Sequence, residues 1–250
     1  MADTQDGQRL WRYAMMHDMA GVRRELNRGV DVNSLGLSQQ SPLQVAINLG
    51  CSQVRHGLPQ PSEVVGFLLH NNADPNIQDK WGKTALHSCA RSGNLDYAKL
   101  LVEYGADVTL KDLKGQTALH VCAKAGAVEY AELLLSKGAF INSKDNKGHT
   151  PLIESVSAPT SNMAEFLICN NADILCREYC GHTAEEIAAN SDRPDVKEVI
   201  RAAILIREKC LAFASVEQPR LGAGSPVRSF DPEVVRMILE SSLGRTVLWN

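Results

Sequence analysis

The chain has 250 residues, 44% of them hydrophobic and 22% charged, with 26 Lys and Arg against 29 Asp and Glu. This composition fits a globular chain and not a disordered one, and the net charge of −3 leaves no electrostatic footprint for nucleic acid. It contains no apolar run of about 18 residues or more, so no membrane-spanning helix is expected.

The opening MADTQDGQRLW has neither a basic region nor an apolar core, so no secretory signal is expected. Seven cysteines form an odd set without framework spacing. They predict reduced thiols and a cytoplasmic or nuclear setting.

The central part of the chain repeats itself. Residues 82–93 read GKTALHSCARSG and residues 115–126 read GQTALHVCAKAG. The Thr of this motif recurs as Thr84, Thr117, Thr150 and Thr183, at intervals of 33, and Ser41 stands 43 residues before Thr84. A second marker closes NNADPN, YGADVT, KGAFIN and NNADIL, at Asn76, Thr109, Asn142 and Leu175, again 33 apart. Asn33 lies 43 before Asn76, so both markers put a ten-residue insertion in one repeat, between Gly50 and Glu63. A period of this length predicts a stacked solenoid.

Each recurring place has a physical reason. Ser41 and the four Thr residues suit helix N-caps. Pro42 and Pro151 follow two of them, at the first helical position, where a missing N–H costs nothing. Leu43, Leu86, Leu119 and Leu152 are expected to face inward, beside the small residues Ala46, Cys89, Cys122 and Ser155. A second helix, such as LDYAKLLVEYG, is expected to stop at Gly29, Asn72, Gly105, Gly138 or Asn171, residue types that accept a left-handed conformation. DKWG, DLKG, DNKG and the weaker EYCG predict tight turns pointing away from the helices.

With TALH, the Gly-Ala-Asp-Val-Asn ending and DxxG in register, the chain resembles ankyrin-repeat proteins. The resemblance covers residues 7–203 as about six repeats, the repeat with the insertion lying at about 34–76. It implies an all-α solenoid of antiparallel helix pairs with short projecting fingers. A layer of this kind cannot bury its own apolar face, so it depends on its neighbours. Arg24 and Glu25 stand where other repeats carry two Leu, and a polar outer face is expected there. Glu185 replaces the inward Leu of the sixth repeat.

Catalytic readings fail on the residues present. His87 and His120 belong to TALH and are expected to bond neighbouring loop groups. His149 and His182 precede an N-cap Thr at the surface, and no motif ties a nucleophile to either. Cys176, Cys180 and His182 in CREYCGH lack the second ligand pair that a zinc site needs, and Cys180 fills an ordinary finger position. Cys89 and Cys122 read as small core residues. LGAGSP at 221–226 precedes no GK[ST] and reads as a turn. No enzyme, metal or cofactor is expected.

The resemblance also implies a docking face made of finger tips and first helices. It carries over to Lys80, Trp81, Leu113, Lys114, Asn146, Lys147 and Tyr179 on the tips. On the helices it carries over to Ser88, Arg91, Val121, Lys124 and Glu154. Trp, Tyr and Arg are frequent anchors of interfaces, so Trp81, Arg91, Leu113, Lys114, Lys124 and Tyr179 are the expected contacts of a protein or peptide partner. The alternative for Trp81 is packing on the adjacent finger. The insertion CSQVRHGLPQPS at 51–62 reads as a loop, serving either contact or decoration.

Past residue 203 the period stops, and 204–250 forms a tail. An apolar helix is expected at 204–214, then a linker, then a helix in FDPEVVRMILESSL from Pro232. One reading is a helical cap on the last repeat. The other is a resemblance to the SOCS box, carried by Ile206, Cys210 and Ala214 at four-residue spacing and by Pro232. That resemblance implies recruitment of Elongin B and C and a cullin, which would make the array a ubiquitin-ligase adaptor.

Overall fold

The computed structural model describes residues 3–53 and 62–217. The chain divides into two compact units between Ala139 and Phe140. In the first unit, helices come in consecutive pairs. These are α1 (Asp3–Met15) with α2 (Met19–Asn27), α3 (Pro42–Gln53) with α4 (Ser62–His70), α5 (Ala85–Ser92) with α6 (Leu95–Glu103), and α7 (Ala118–Ala125) with α8 (Val128–Ser136). First helices pack in one row, α1 on α3 on α5 on α7, and second helices in another, from α2 through α4 and α6 to α8. The second unit holds α9 (Pro151–Ser155), α10 (Asn162–Cys169), α11 (Ala184–Asn190) and α12 (Pro194–Glu217).

The local signals act where the repeat places them. Thr84, Thr117, Thr150 and Thr183 are N-caps with extended backbone. Ser41 and Gln44 cap reciprocally: Ser41 N–H donates to Gln44 Oε1 at 2.8 Å, and Gln44 N–H donates to Ser41 Oγ at 3.2 Å. This capping box satisfies two backbone groups at once. The residues ending the second helices, from Gly29 to Asn171, all have positive φ. Leu43, Leu86, Leu119 and Leu152 are buried, as are Ala46, Cys89, Cys122 and Ser155 beside them. Tyr130 of α8 adds a polar tie, its hydroxyl donating to Leu86 O at 2.7 Å.

Four local expectations need correction. Glu25 does not lie on a polar outer face: it is buried, with Oε1 accepting from Arg28 at 3.1 Å. Its place in the repeat is that of Leu101, so the backbone carries it inward whatever its polarity. Glu154 is buried as well, not displayed on the docking face, and its Oε1 lies 3.0 Å from His149 Nδ1. The insertion does not begin as a loop, because Cys51, Ser52 and Gln53 extend α3 and Ser62 opens α4. Residues 54–61 lie outside the described residues. The apolar helix expected at 204–214 is not a separate element but the second half of α12, which runs unbroken through residue 203.

The fifth repeat is shortened. Helix α9 stops after one turn, and Arg193, which precedes α12, donates through Nη1 to Val156 O at 2.9 Å and also to Ala158 O. Asp195 holds the same guanidinium, at 2.8 Å from Nη2 and 3.0 Å from Nε. A charged donor thus takes up carbonyls that a longer helix would have satisfied internally.

Leu119 is fully buried in the row of first helices. Leu119→Ala is expected to lower the urea unfolding free energy by about 2–5 kcal/mol. A loss below about 1 kcal/mol would mean that this Leu row does not carry the packing.

Candidate functional site

Two fingers of the first unit, at 79–83 and 112–116, are each built around one carboxylate. Asp79 Oδ1 accepts from the backbone N–H of Trp81 and of Lys83, both at 2.9 Å. Asp112 Oδ1 accepts likewise from Lys114 at 2.8 Å and Gln116 at 3.0 Å. Both carboxylates are buried. Gly82 makes the turn possible at φ +75°, and a Cβ there would come within 2.8 Å of Leu113 N. Neighbouring fingers are joined in register. Leu113 N–H donates to Trp81 O at 3.0 Å, and Lys80 N–H donates to Ser38 O at 3.0 Å.

This fixed backbone leaves the tip side chains outward. Trp81 is 50% exposed and Leu113 70% exposed. Packing on the adjacent finger therefore involves the Trp81 carbonyl and leaves half of the residue open. Lys80 Nζ stands 4.4 Å from the indole centroid, within cation–π range. Between these tips and the first helices lies a groove of about 410 Å³. Its lining includes Trp81, Ser88, Arg91, Leu113, Lys114 and Val121, six of the residues expected at a docking face, together with Lys83. Lys83 was missed because it follows the finger glycine, a place held by Gln116 and His149 in the next repeats, so its charge has no periodic signature.

The remaining expected contacts lie elsewhere. Lys124 is exposed on α7, 33 residues after Arg91, and is not among the residues lining this groove. Tyr179 belongs to the second unit, where it is 71% exposed and its N–H donates to Lys147 O at 3.0 Å. Ile206 is half-buried on α12. The side chains of Cys210 and Ala214, and the helix expected from Pro232, lie outside the described residues.

The histidines of TALH are structural linkers. The His87 Nδ1 lies 3.2 Å from Thr84 N and 2.9 Å from Thr84 Oγ1, while Nε2 lies 3.0 Å from Gln116 O. These partners require a neutral ring with its proton on Nε2: Nδ1 accepts from Thr84 and Nε2–H donates to the Gln116 carbonyl. Burial pushes the His87 pKa below its ordinary value. His120 repeats the first half of this arrangement with Thr117, at 3.2 Å and 2.9 Å. Burial also pushes the Cys122 thiol up, and its Sγ lies 3.2 Å from Leu119 O, so it is no nucleophile.

In CREYCGH, Glu178 stands where other fingers carry Asp. Its Oε2 accepts from Cys180 N–H at 2.9 Å, and its Oε1 lies 2.9 Å from His182 Nδ1. These bonds, the Cys180 N–H foremost, hold the Glu178 pKa down at about 2. A metal-like grouping occurs instead at Asp145, His149 and Glu154, whose ligand atoms lie within 4.8 Å of one another. Asp145 Oδ1 already accepts the N–H groups of Lys147 and His149, each at 2.8 Å. Asp79 and Asp112 play the same part with no His–Glu pair beside them. The grouping is a finger with an added His149–Glu154 hydrogen bond.

Residues 51–145 match the family model for ankyrin repeats, in three copies. This segment carries ankyrin repeats, and the fold is of the all-α ankyrin-repeat solenoid class. Ankyrin repeats are protein–protein interaction modules and are generally non-catalytic. No curated protein matches the chain significantly. No helix among the described residues is long and apolar enough to cross a membrane.

The His87 geometry has a pH consequence. The unfolded chain takes up a proton near pH 6.5 and the folded ring resists it. The unfolded state therefore binds more protons below that pH, and stability is lost as pH falls from about 7 towards 5. His87→Gln would reproduce the bonding of Gln44 without the titration. In urea unfolding it is expected to match the parent protein at pH 7.5 and to fall less on acidification. An identical pH profile for the two proteins would refute this role.

Proposed function

We propose that this protein is a non-catalytic docking module that holds a protein or peptide partner in the groove between the fingers of residues 79–83 and 112–116 and the helices α5 and α7. The observation that carries this is the convergence of Trp81, Arg91, Leu113 and Lys114 on one groove of about 410 Å³. The fingers are held by buried carboxylates, so the apolar tips are presented on rigid backbone and little ordering is needed on binding. Trp and Arg, both present in the lining, are among the residue types that most often anchor interfaces. The histidines and the buried Cys122 are committed to the fold, which supports a binding role over an enzymatic one.

The tail reading as a ubiquitin-ligase adaptor rests on the sequence pattern of Ile206, Cys210, Ala214 and Pro232. The domain division at 7–203 and 204–250 is likewise proposed from the sequence, with α12 running across it.

The test uses the partner recovered by affinity capture on the full chain. Trp81→Ala is expected to weaken its affinity by about 2 kcal/mol or more while leaving helicity intact. Calorimetric titration measures the first and far-ultraviolet circular dichroism the second. Unchanged affinity in the triple variant Trp81→Ala, Arg91→Ala, Leu113→Ala would move the site off this groove.

A further inference from the structure

A second hollow, of about 270 Å³, lies on the first layer and is lined by Gln8, Trp11, Arg12, Met15, Met16 and Gly36. The repeat gives these residues counterparts further along the chain. Trp11, Arg12 and Met15 correspond to His87, Ser88 and Arg91, and Gly36 to Asp79. All four counterparts line the docking groove. The hollow is therefore the same groove at the first layer. Between the two stands the second layer, whose Gln40 and Asn48 already belong to the lining of the docking groove.

The chemistry changes along this path. Where the docking groove has Arg91 and Asp79, the first layer has Met15 and Gly36. Met15 is half-buried and Met16 is 64% exposed. Their unbranched thioether chains adapt to the shape of an apolar neighbour. The Trp11 ring lies against Gly36, where a Cβ would come within 2.4 Å of its Cδ1. Its Nε1 is buried without a hydrogen-bond partner, although Gln44 and His87, at the same place in the repeat, each donate to the next finger. The finger at 36–40 thus has neither that link nor the central carboxylate, which Gly36 replaces. Its edge can yield to an entering side chain.

Two steps along the row of first helices, from α1 to α3 to α5, separate this hollow from the layer of Trp81. Packed helices lie about 8–10 Å apart, so the separation is about 16–20 Å. Six residues cover about 20 Å in an extended strand and about 19 Å in a polyproline helix. Residues six apart face the same way in both, because six is a multiple of the strand period and of the polyproline period.

We infer that the partner's segment binds in extended form across the layers of α1, α3 and α5 and carries two apolar side chains six residues apart. One enters the hollow of Trp11, Met15 and Met16. The other rests on Trp81 and Leu113. The residues between them are polar, and their backbone amides face the carboxamides of Gln40 and Asn48. This inference rests on the docking function proposed above and adds a second anchor to it.

A phage-displayed library of random twelve-residue peptides, selected on the full chain, tests it. The recovered sequences are expected to share two apolar residues six apart. A labelled synthetic copy of the strongest binder is then followed by fluorescence anisotropy. It should bind the double variant Met15→Gln, Met16→Gln about tenfold more weakly, at unchanged helicity. Ser in place of one of its two apolar residues should cost as much on the parent protein and little more on the methionine variant. Ser in place of the other should weaken binding to both proteins alike. One Gly inserted between the two should also lower affinity, because it turns one of them away from the protein.

Peptides that lose binding to Trp81→Ala but bind the methionine variant as tightly as the parent would remove the second anchor and leave the docking groove standing. Peptides insensitive to both variants would overturn the groove itself. Recovery of no binding peptide, or of apolar pairs at no preferred spacing, would also overturn the inference.

Discussion

In the layers of α3 and α5 one side chain carries two connections, and the presentation of the fingers at 79–83 and 112–116 depends on it. At the third position of α3, Gln44 closes the cap of its own helix and donates through Nε2 to Ile77 O and Lys83 O, both at 2.8 Å. At the same position of α5, His87 closes its cap through Nδ1 and reaches Gln116 O through Nε2. Each carbonyl reached belongs to the base of the following finger. The link therefore sets where the next finger leaves the stack. A buried carbonyl left without its donor would cost about 1–3 kcal/mol, so the finger has little freedom to shift.

The groove follows from this placement. The finger bases are fixed by Gln44 and His87, their turns by Asp79 and Asp112, and their mutual register by the Leu113 N–H to Trp81 O bond. What remains variable is the tip, and the tip residues carry the exposed apolar surface. Asp79 and Asp112 are buried within the fingers, whereas Arg91 and Lys114 are exposed and Lys83 is half-buried, so the cations of the groove stand nearer to solvent than its carboxylates.

The second unit departs from this scheme in an instructive way. Ile153 occupies the third helical position of α9 and is buried, so no side chain there can donate to the next finger. Arg193 supplies a different tie, from the start of α12 back to Val156 and Ala158. At the last such position, Glu186 accepts from Thr183 N–H at 2.8 Å and, as a carboxylate, has nothing to donate onward. The chain of links thus ends in a residue that caps its own helix and accepts from Arg177 at 3.3 Å, with nothing to donate onward.

Much of this was legible in the sequence, because the repeat averages over five or six copies of each signal. Caps, inward Leu, left-handed Gly and Asn, and DxxG turns all recur at 33 residues, and the structure uses each as expected. The misreadings fell on residues that occur once. Glu25 was read from its charge, whereas its position in the helix decides its burial; Glu154 was read from its register with Ser88 and Val121, whereas its carboxylate is buried beside His149. Arg193 gave no signal because its acceptors, Val156 O and Ala158 O, are backbone atoms exposed by the early end of α9. The unbroken run of α12 was hidden by the loss of periodicity at residue 203, which marks the end of the repeat and not of the helix.

The most direct test of this account is hydrogen exchange at the fingers when the link from α5 is cut. In His87→Ala, with helicity retained, the amides of Lys114, Gly115 and Gln116 are predicted to exchange faster, although none of them is bonded to His87 through its own N–H. Exchange that changed only between Thr84 and Ser88, with the 112–116 finger as protected as before, would contradict the claim that this side chain positions the docking surface.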